Sequence, residues 1–552
     1  MPLPGQSLRA PLLWLLVPFM AGIALADHAP VPGRWIPVFA LTATGLGFLS
    51  WRLAGRTSAI SRCAWPVTMI GAGLLAGDIA LQVRSPRLSG PEAAPREVVV
   101  ELETEQLFQS LPTRKKLSGL GRIVATDSHL TALMGQRVYF SAIKRISVMP
   151  ARSGRYQVRG VLLALAAGAV AENVAGFQRY LESAGIRFTL TRAQVIREVR
   201  PPGRFRRFCT RTEERLESIL RLGIERQPAA TSLYLGMLLG EKAALSPEQQ
   251  DAFMRSGTFH IFCIAGLHVG VIAAAIVATL QLLRLPRRTA IICGLLILWL
   301  YVQVTGANIP ARRAFLMIAF LSSSRVFRLP GNSLAALVAA ALLTLCLEPR
   351  ELFSAGFQMS YAVVSSLVVM CSPVAHRWQE LWQPWRDLPP AAWGWPRRWI
   401  VGLWQLLTGA LATSGVALLA STPSAIGYFG LFSPGGLLAN LCIVPMAMLT
   451  ITAGFISMVG GLCGLTGISL VFNHAAALII TCMDWLMIHG TELPGVYYRA
   501  QFHAPWMAPA SLTALVAVIL AGASVRWSSR WGAMLWPPLA VTLILFFGVK
   551  FG

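Results

Sequence analysis

Ionisable side chains cluster from Glu241 to His268, in a segment that leads into an apolar run. Glu241 and Asp251 come first, Arg255 follows, and His260 and His268 lie eight residues apart at its end. Carboxylates and imidazoles serve as general acids, general bases and metal ligands. Eight residues of a regular helix rotate the side-chain direction by roughly 80°. The two histidines are therefore not the adjacent-turn pair of a helix zinc site.

Three glycines interrupt the same stretch, Gly257, Gly266 and Gly270. They permit either a break in a helix or the close approach of another helix. A helix that is broken within a membrane exposes backbone dipoles, which is typical of translocation sites. The pattern favours a polar passage. A membrane-embedded hydrolase that uses the two carboxylates and the two histidines stays open as an alternative.

Other polar side chains also stand where hydrocarbon is expected. Arg312 and Arg313 begin an apolar run, where an arginine either holds a phosphate entering a pore or extends to lipid headgroups. We expect one of the two to hold a phosphate. Gln358 and Ser360 have the side chains that hydrogen-bond between packed helices more often than they line pores. Asn440 is a weaker member of the same class.

The composition places these groups in a membrane. Hydrophobic residues make up 55% of the 552 residues and charged residues 13%, with a mean hydropathy of +0.59, whereas soluble domains are about a quarter charged. A formal charge of +24 on such a chain indicates contact with a membrane, a polyanion or both. The sequence contains no GxxxxGK[ST], HExxH or GxSxG motif, so it predicts a protein that is not an enzyme and that needs no metal or cofactor.

Apolar runs and loop charges predict the organisation of the chain. Three runs precede residue 84 and ten follow residue 257, most of them long enough to span a bilayer. Arginines at 52, 56 and 62 place the second loop on the cytoplasmic side and residues 84–229 outside. The first run is alternatively a cleaved signal peptide. We expect N-terminal transmembrane helices over 1–83, an exoplasmic β-domain over 84–202, amphipathic connecting helices over 203–257 and a polytopic core over 258–552.

The outward region has the two-residue alternation of strands, for example in Val98, Val100 and Leu102. Further strand candidates lie at 119–125, 137–140, 156–163 and 186–196, with a turn at 153–154 and a helical patch at 178–183. Several short strands predict a small β-barrel, with the oligonucleotide-binding (OB) fold as one candidate. A basic amphipathic helix follows residue 202 and is expected to link this barrel to the core.

Basic side chains outnumber acidic ones by roughly two to one between residues 84 and 229. Such a surface attracts nucleic acid, whose bases stack on aromatic rings, or anionic lipid headgroups. The candidate DNA contacts are Tyr139, Phe140, Lys144, Arg145 and Tyr156.

Particular residues resemble the signature of the ComEC family of bacterial DNA-uptake proteins. The most specific part is the segment His260 to His268, which contains Ala265-Gly266-Leu267-His268. Weaker matches are Gly306 with Arg313-Ala314, the run 356–360, and Asn440 with Pro445. Upstream, Gly176-Phe177 and Gly185-Ile186 resemble the end of that family's OB domain. The sequence departs from the family at Ala265, where serine is usual, so any role of that hydroxyl is absent.

The resemblance implies a multi-pass protein of the bacterial inner membrane that conducts single-stranded DNA to the cytoplasm. Carried over residue by residue, the channel positions are His260, Gly266, His268, Arg313, Gln358 and Ser360. Their possible polar partners are Glu241, Asp251, Arg255, Arg312 and Asn440. Many family members continue into a metallo-β-lactamase-like domain with an HxHxDH site, which is not among the eight histidines of this sequence. We therefore expect separate competence proteins, including a nuclease or motor, as partners alongside single-stranded DNA and membrane lipids. A small-anion transporter is a third alternative, although it would need no large basic outward domain.

Overall fold

The structure is a computed structural model. It describes residues 12–28, 35–53, 59–80, 95–108, 116–126, 133–143, 152–165, 181, 186–240, 247–262, 264–328, 331–385, 387–388, 393–504, 506–524 and 548–551. Glu241, Lys144, Arg145, the apolar run near the C-terminus and, apart from Leu181, the helical patch at 178–183 lie outside these residues.

Three apolar helices begin the chain: α1 (Leu13–His28), α2 (Ile36–Leu53) and α3 (Ala59–Asp78). Helices α1 and α3 pack closely because glycines face each other, and a Cβ on Gly73 would clash with the carbonyl oxygen of Phe19. Close packing of this kind lets two apolar helices associate without a hydrophobic driving force between them.

A closed five-stranded barrel follows, as the two-residue alternation predicts. Its strands are β1 (Arg96–Phe108), β2 (Lys116–Thr126), β3 (Arg137–Ile143), β4 (Arg155–Ala164) and β5 (Phe188–Arg200). Their order around the barrel is β1-β2-β3-β5-β4, with β3 and β5 parallel and the other pairs antiparallel. Val98, Val100 and Leu102 point into the barrel core, whereas Val99 and Glu101 between them do not. The predicted small β-barrel is thus confirmed.

A basic helix, α4 (Arg204–Arg221), connects the barrel to the helical core. It buries Cys209, Leu216 and Leu220, while Phe205 and Phe208 remain exposed, so the apolar face is narrower than the sequence suggests. Its C-terminal end is held by Asn473, whose Nδ2 donates to the carbonyl oxygens of Ile219 and Leu222 at 2.8 and 3.0 Å. This side-chain cap replaces partners that the last carbonyls of a helix lack.

The next segment is broken, as its glycines predict. Helix α5 (Pro228–Leu239) is buried along ten of its twelve residues, and α6 (Pro247–Arg255) ends before a short 3₁₀ turn at Phe259–Phe262. Gly257 has a φ of +71°, which a side chain would oppose. Helix α7 (Gly266–Leu282) then starts. No atom lies within 4 Å of a Cβ built on Gly266 or Gly270 among the described residues, so close helix packing is not the role of those two glycines.

The remaining helices form the apolar core. They are α8 (Arg287–Val304), α9 (Ile309–Val326), α10 (Ser333–Leu347), α11 (Ala355–Ser366), α12 (Ser372–Trp382), α13 (Trp395–Phe429), α14 (Gly436–Leu462), α15 (Thr466–Thr491) and α16 (Met507–Ser524). A π-helical turn at Leu367–Cys371 joins α11 and α12 into one unit. Strands Leu431–Phe432, Tyr498–Phe502 and Val549–Phe551 form a small sheet, β6-β7-β8.

Five helical segments in the described part of the chain are long and apolar enough to cross a membrane. These are Arg287–Val304, Ala355–Trp382, Trp395–Phe429, Gly436–Leu462 and Thr466–Thr491. Shorter apolar helices accompany them, including α5, α7 and α10. The chain is therefore a polytopic α-helical membrane protein with an inserted barrel, which is the predicted fold class.

Candidate functional site

The centre of the site is a buried ion pair between Arg313 and Glu351. Arg313 Nη1 donates to Glu351 Oε2 at 3.2 Å, and the two side chains are 3% and 14% exposed. Arg313 Nη2 donates to Ser360 Oγ at 3.2 Å, whereas Nε has no hydrogen-bond partner among the described residues. A buried charge is tolerated when it is paired and hydrogen-bonded. Two of the predicted channel positions, Arg313 and Ser360, are thereby brought together.

Local sequence explains how three elements meet at this pair. Pro310, in the first turn of α9, has a ring that suits a helix start, and Arg313 lies one turn further on. Glu351 lies in a 3₁₀ turn, Pro349–Phe353, between α10 and α11. The hydroxyl of Ser354 caps α11 by accepting from Phe357 N at 3.1 Å, and it contacts Glu351 Oε2 at 3.2 Å. The cap of one helix thus helps to position the carboxylate.

Gln358 hydrogen-bonds to the same turn. Its Nε2 donates to the carbonyl oxygen of Leu352 at 3.1 Å. The hydroxyl of Tyr428 donates to the carbonyl oxygen of Phe353 at 2.8 Å. Both bonds satisfy backbone groups next to Glu351. Hydrogen bonding within the helix packing, which the sequence favours for Gln358, is what the structure contains.

A second group of buried hydroxyls lies along α11 and α13. Ser366 and Ser424 are both buried, and neither hydroxyl has a hydrogen-bond partner among the described residues. Phe353 bonds Tyr428, and Cys371 Sγ lies 3.1 Å from Thr413 Oγ1, so the two elements run antiparallel. The π-helical turn follows Ser366 directly, and such turns occur frequently at functional sites.

His268 is fully buried in the first turn of α7. Its Nδ1 accepts from the backbone N–H of Ala265 at 3.4 Å, which is the reciprocal half of a capping box. The ring proton then belongs on Nε2, and that atom has no partner among the described residues. His268 therefore presents a buried donor that is not used by the helix cap.

His260 lies in the 3₁₀ turn before α7 and is exposed. Its Nδ1 is 3.2 Å from the carbonyl oxygen of Gly257, and the ring is near enough to His268 to interact with it electrostatically. Gly266 is the first residue of α7 and is exposed. Ala265 at the N-cap supplies no side-chain bond to the helix, where a serine hydroxyl would cap it.

The remaining predicted partners are separate from this pair. Asp251 and Arg255 form an exposed ion pair of 2.6 Å, with the Arg255 guanidinium 5.0 Å from the ring centre of Tyr497. Arg312 is exposed, whereas Arg313 next to it is buried. Asn440 Oδ1 is buried without a partner in the described part of the chain. Among these residues no group of three or more His, Cys, Asp or Glu side chains is arranged to hold a metal ion.

The barrel aromatics require a correction. Phe140 and Tyr156 are 2% and 1% exposed and pack in the barrel core, so their faces are not available to stack on bases. Tyr139 is half-buried and packs against Leu120 and Ile186. Aromatic rings on inward positions of a small barrel fill its interior. The predicted base-stacking role is therefore wrong for Phe140 and Tyr156. For Tyr139 it stays a prediction.

Sequence reasoning missed Glu351, Ser424 and Tyr428. Glu351 lies in the charged stretch Glu348-Pro349-Arg350-Glu351 between two apolar runs, and an acid so close to an apolar run was the available signal for a partner of Arg313. Ser424 follows Pro423 within α13, where a proline removes one backbone bond of the helix. Tyr428 offers no signal in the sequence beyond its position near the helix end.

A cavity of about 410 Å³ lies beside the turn after α15 and is lined by residues 491–499, among them Glu492 and Tyr497. None of the predicted channel positions lines it. A second space of about 460 Å³ is bounded by apolar side chains of α14 and α15, including Met446 and Trp485. The polar groups described above are thus packed side chains rather than walls of these two cavities.

Comparisons with known proteins match the helical core. A family model described as Competence protein matches residues 237–529, slightly more than half of the chain. ComE operon protein 3 of Bacillus subtilis is 32% identical over 145 residues, 26% of this chain and 19% of that protein. Recombination protein 2 of Haemophilus influenzae is 25% identical over 223 residues, 39% of this chain and 26% of that protein.

A third relative, Competence protein ComA of Neisseria gonorrhoeae, is 27% identical over 149 residues, which are 25% of this chain and 21% of that protein. The matches to these three relatives therefore span about a fifth to a quarter of their lengths. No solved structure matches the chain.

Proposed function

The chain belongs to the Competence protein family, and we propose that it takes part in DNA uptake as an inner-membrane channel for single-stranded DNA. In this proposal residues 84–229 face the exoplasm, the barrel receives the strand and the helical core conducts it to the cytoplasm. Other competence proteins and a separate nuclease or motor complete the process. The proposal rests on the family and on one observation, the buried pair of Arg313 and Glu351.

An ion pair is an unusual choice for the interior of an apolar bundle. Removing two charges from water costs several kcal/mol per ion, and apolar side chains of similar volume are often as stable in their place. A buried pair is therefore weak evidence for stability and better evidence for function. Ionisable groups within membrane segments commonly mark the path of an ion or substrate.

Arginine is the residue that suits a phosphate in such a path. Its planar guanidinium stays charged and bonds phosphate oxygens through two parallel N–H groups. A phosphate of the strand would take the place that Glu351 holds in the closed arrangement, while Ser360 keeps its bond to Nη2. In this proposal the Arg313–Glu351 pair forms when the passage is closed. A passing phosphate then replaces the Glu351 carboxylate at Arg313.

The hydrolase alternative has less support. Asp251 is engaged by Arg255 at 2.6 Å on an exposed surface, while His268 is fully buried. A hydrolase would need these groups to converge on one reacting atom. The second alternative, a small-anion transporter, gives the basic barrel no role.

A charge exchange tests the proposal. Arg313→Glu combined with Glu351→Arg keeps an ion pair at the same place, so the protein is expected to insert normally. Transformation frequency is expected to fall by at least tenfold, because a guanidinium at 351 no longer lies beside Ser360. The measurement is the number of transformants per cell, with membrane levels of the protein determined in the same cultures.

The matched control exchanges the exposed pair, Asp251→Arg with Arg255→Asp. This variant also preserves the net charge, and it is expected to transform like the wild type. Full transformation by the Arg313/Glu351 exchange would refute a phosphate-binding role for Arg313, since a purely structural pair tolerates reversal.

A further inference from the structure

Residues 152–154, which directly precede β4, are hydrogen-bonded to β1 at the end of the barrel. Ser153 N donates to the carbonyl oxygen of Thr104 at 2.7 Å, and Thr104 N donates to that of Gly154 at 3.0 Å. The Thr104 hydroxyl adds a bond to the Gly154 carbonyl at 3.3 Å. Arg152 extends from this turn. Because three bonds hold the turn, the direction of the Arg152 side chain is set by the barrel.

Arg152 meets the helical core at Gly306. A Cβ built on Gly306 would coincide with Arg152 Nη1, so the guanidinium occupies the space that any side chain would need. Gly306 has a φ of +86° and lies two residues after the end of α8. Beside it, Ala307 N donates to the carbonyl oxygen of Val302 at 2.7 Å. Glycine is thus required twice at this position, for its backbone conformation and for the contact with the barrel.

The guanidinium of Arg152 is not neutralised at this contact. Its Nη1 is buried and has no hydrogen-bond partner among the described residues. The acid that acts on it is Glu213 of α4, and no ion pair within 4.0 Å joins the two. Arg152 as a whole is half-buried, but a buried N–H without an acceptor is costly, which points to an anion that completes Nη1.

The charges around Glu213 explain why it does not complete the pair. The pKa of Glu213 is raised to about 7, chiefly by burial and to a smaller extent by Glu217 and Glu214 on the same helix, whereas Arg152 lowers it. The carboxylate is therefore partly protonated near neutral pH. It competes for Arg152 increasingly as the pH rises through 7 and ceases to compete as the pH falls below it.

We propose that Arg152 binds a phosphate of the DNA strand at the junction where the strand leaves the barrel for the helical core. The inference rests on the function proposed above and names the residue that receives the strand there. Gly306 leaves the space for this guanidinium. Helix α9 begins three residues later and carries exposed Arg312 and then buried Arg313. Phosphates would pass from Arg152 along α9 to the ion pair.

Binding of a fluorescent oligothymidylate to the full-length protein in detergent tests this step. Arg152→Ala is expected to lower the affinity on the order of tenfold, since a hydrogen-bonded charge is lost. The slope of log affinity against log salt is expected to fall by about 0.7, because one phosphate contact disappears from a single strand. Arg152→Lys is expected to recover the slope but only part of the affinity.

The matched control is Arg159→Ala, another barrel arginine. It makes the same change in net charge, but its guanidinium is already bound to Glu97 at 2.7 Å. Its affinity is expected to fall only slightly at low salt, far less than that of Arg152→Ala, and its salt slope is expected to stay near the wild-type value. Equal effects of the two variants would overturn the proposal, because a general loss of positive charge would then explain both.

Glu213→Gln gives a test that misfolding cannot imitate. Removing the competing carboxylate is expected to tighten binding at pH 8 and to abolish the weakening that the wild type undergoes as the pH rises through about 7. Unchanged binding at pH 8 with an unchanged pH profile would contradict the proposed role of Arg152.

Transformation separates this inference from the proposed function. If Arg152→Ala transforms normally while the Arg313/Glu351 exchange does not, the junction site is refuted and the channel stands. If both transform normally, the phosphate-binding role of Arg313 fails together with the junction site. A defect in both, with the Arg159→Ala control intact, supports the full path.

Discussion

The barrel and the helical core use charged side chains in opposite ways. On the barrel, Arg159 pairs with Glu97 where the two side chains are 57% and 59% exposed, and Arg122 and Arg137 share Glu105. In the core, Arg313 and Glu351 are almost completely buried. Exposed pairs are worth little because water competes for each partner, whereas a buried pair has no such competitor.

Two pairs of aromatic side chains show the reverse distribution: one pair is buried in the barrel and the other is exposed on a helix. Phe140 and Tyr156 are enclosed by the barrel strands, while Trp395 and Trp399 of α13 are exposed. Aromatic rings exposed on a membrane protein suit the lipid interface. An exposed ring on the helical part of the chain is therefore ordinary, and an enclosed ring in the barrel is part of its packing. The comparison teaches that burial has to be read together with residue type: a buried charge is a functional candidate, whereas a buried ring is packing.

The largest expected effect comes from breaking the buried pair. Glu351→Ala leaves the Arg313 charge without its partner and is expected to reduce the free energy of unfolding by about 3–5 kcal/mol. Thermal unfolding in detergent measures the loss. A loss below about 1 kcal/mol would mean that water already reaches Arg313, and the contrast with the barrel pairs would disappear.

The double variant Arg313→Met with Glu351→Leu sharpens the same point. Replacing both charges by apolar groups of similar volume is expected to recover most of the stability that Glu351→Ala loses. Transformation is expected to stay low, because no guanidinium remains. Recovery of both properties would assign the pair to packing alone.

An intermediate effect is expected in the barrel core. Phe140→Leu reduces the packing around a ring that is 2% exposed and is expected to destabilise the barrel by about 1–1.5 kcal/mol. A stacked base would contribute about 1–3 kcal/mol to binding, but an enclosed ring contributes none. The affinity for oligothymidylate is therefore expected to match the wild type, and a tenfold loss at full folding would place Phe140 at the DNA surface.

Much of this fold is predictable from the sequence. Alternation at Val98 to Leu102 identifies a barrel strand because only one face of it is buried, and long apolar runs identify the spans. The glycines around Gly257 predict the break before α7. Periodicity predicts these elements because it depends on local residue order alone.

The candidate site is only partly predictable. Arg313 departs from the charge pattern of the loops, which makes it visible, but Glu351 lies 38 residues away and its proximity depends on how α10 reverses the chain. Likewise Arg152 and Gly306 meet only after the barrel has closed and docked. Contacts of this kind follow from tertiary packing, and no local pattern encodes them. The rings of Phe140 and Tyr156 mislead because both faces of a strand can carry aromatic residues.

The smallest effect is expected at the barrel surface. Glu97→Ala removes the carboxylate from Arg159, but water replaces it at an exposed guanidinium, so the free energy of unfolding is expected to change by about 0–1 kcal/mol. The freed arginine adds one cation to the outward surface, and oligothymidylate affinity is expected to rise slightly at low salt and to match the wild type at high salt. Thermal unfolding and a salt titration on the same preparation measure both. A loss comparable with that of Glu351→Ala would show that exposure does not set the value of an ion pair in this protein, and the distinction between the two regions would fail.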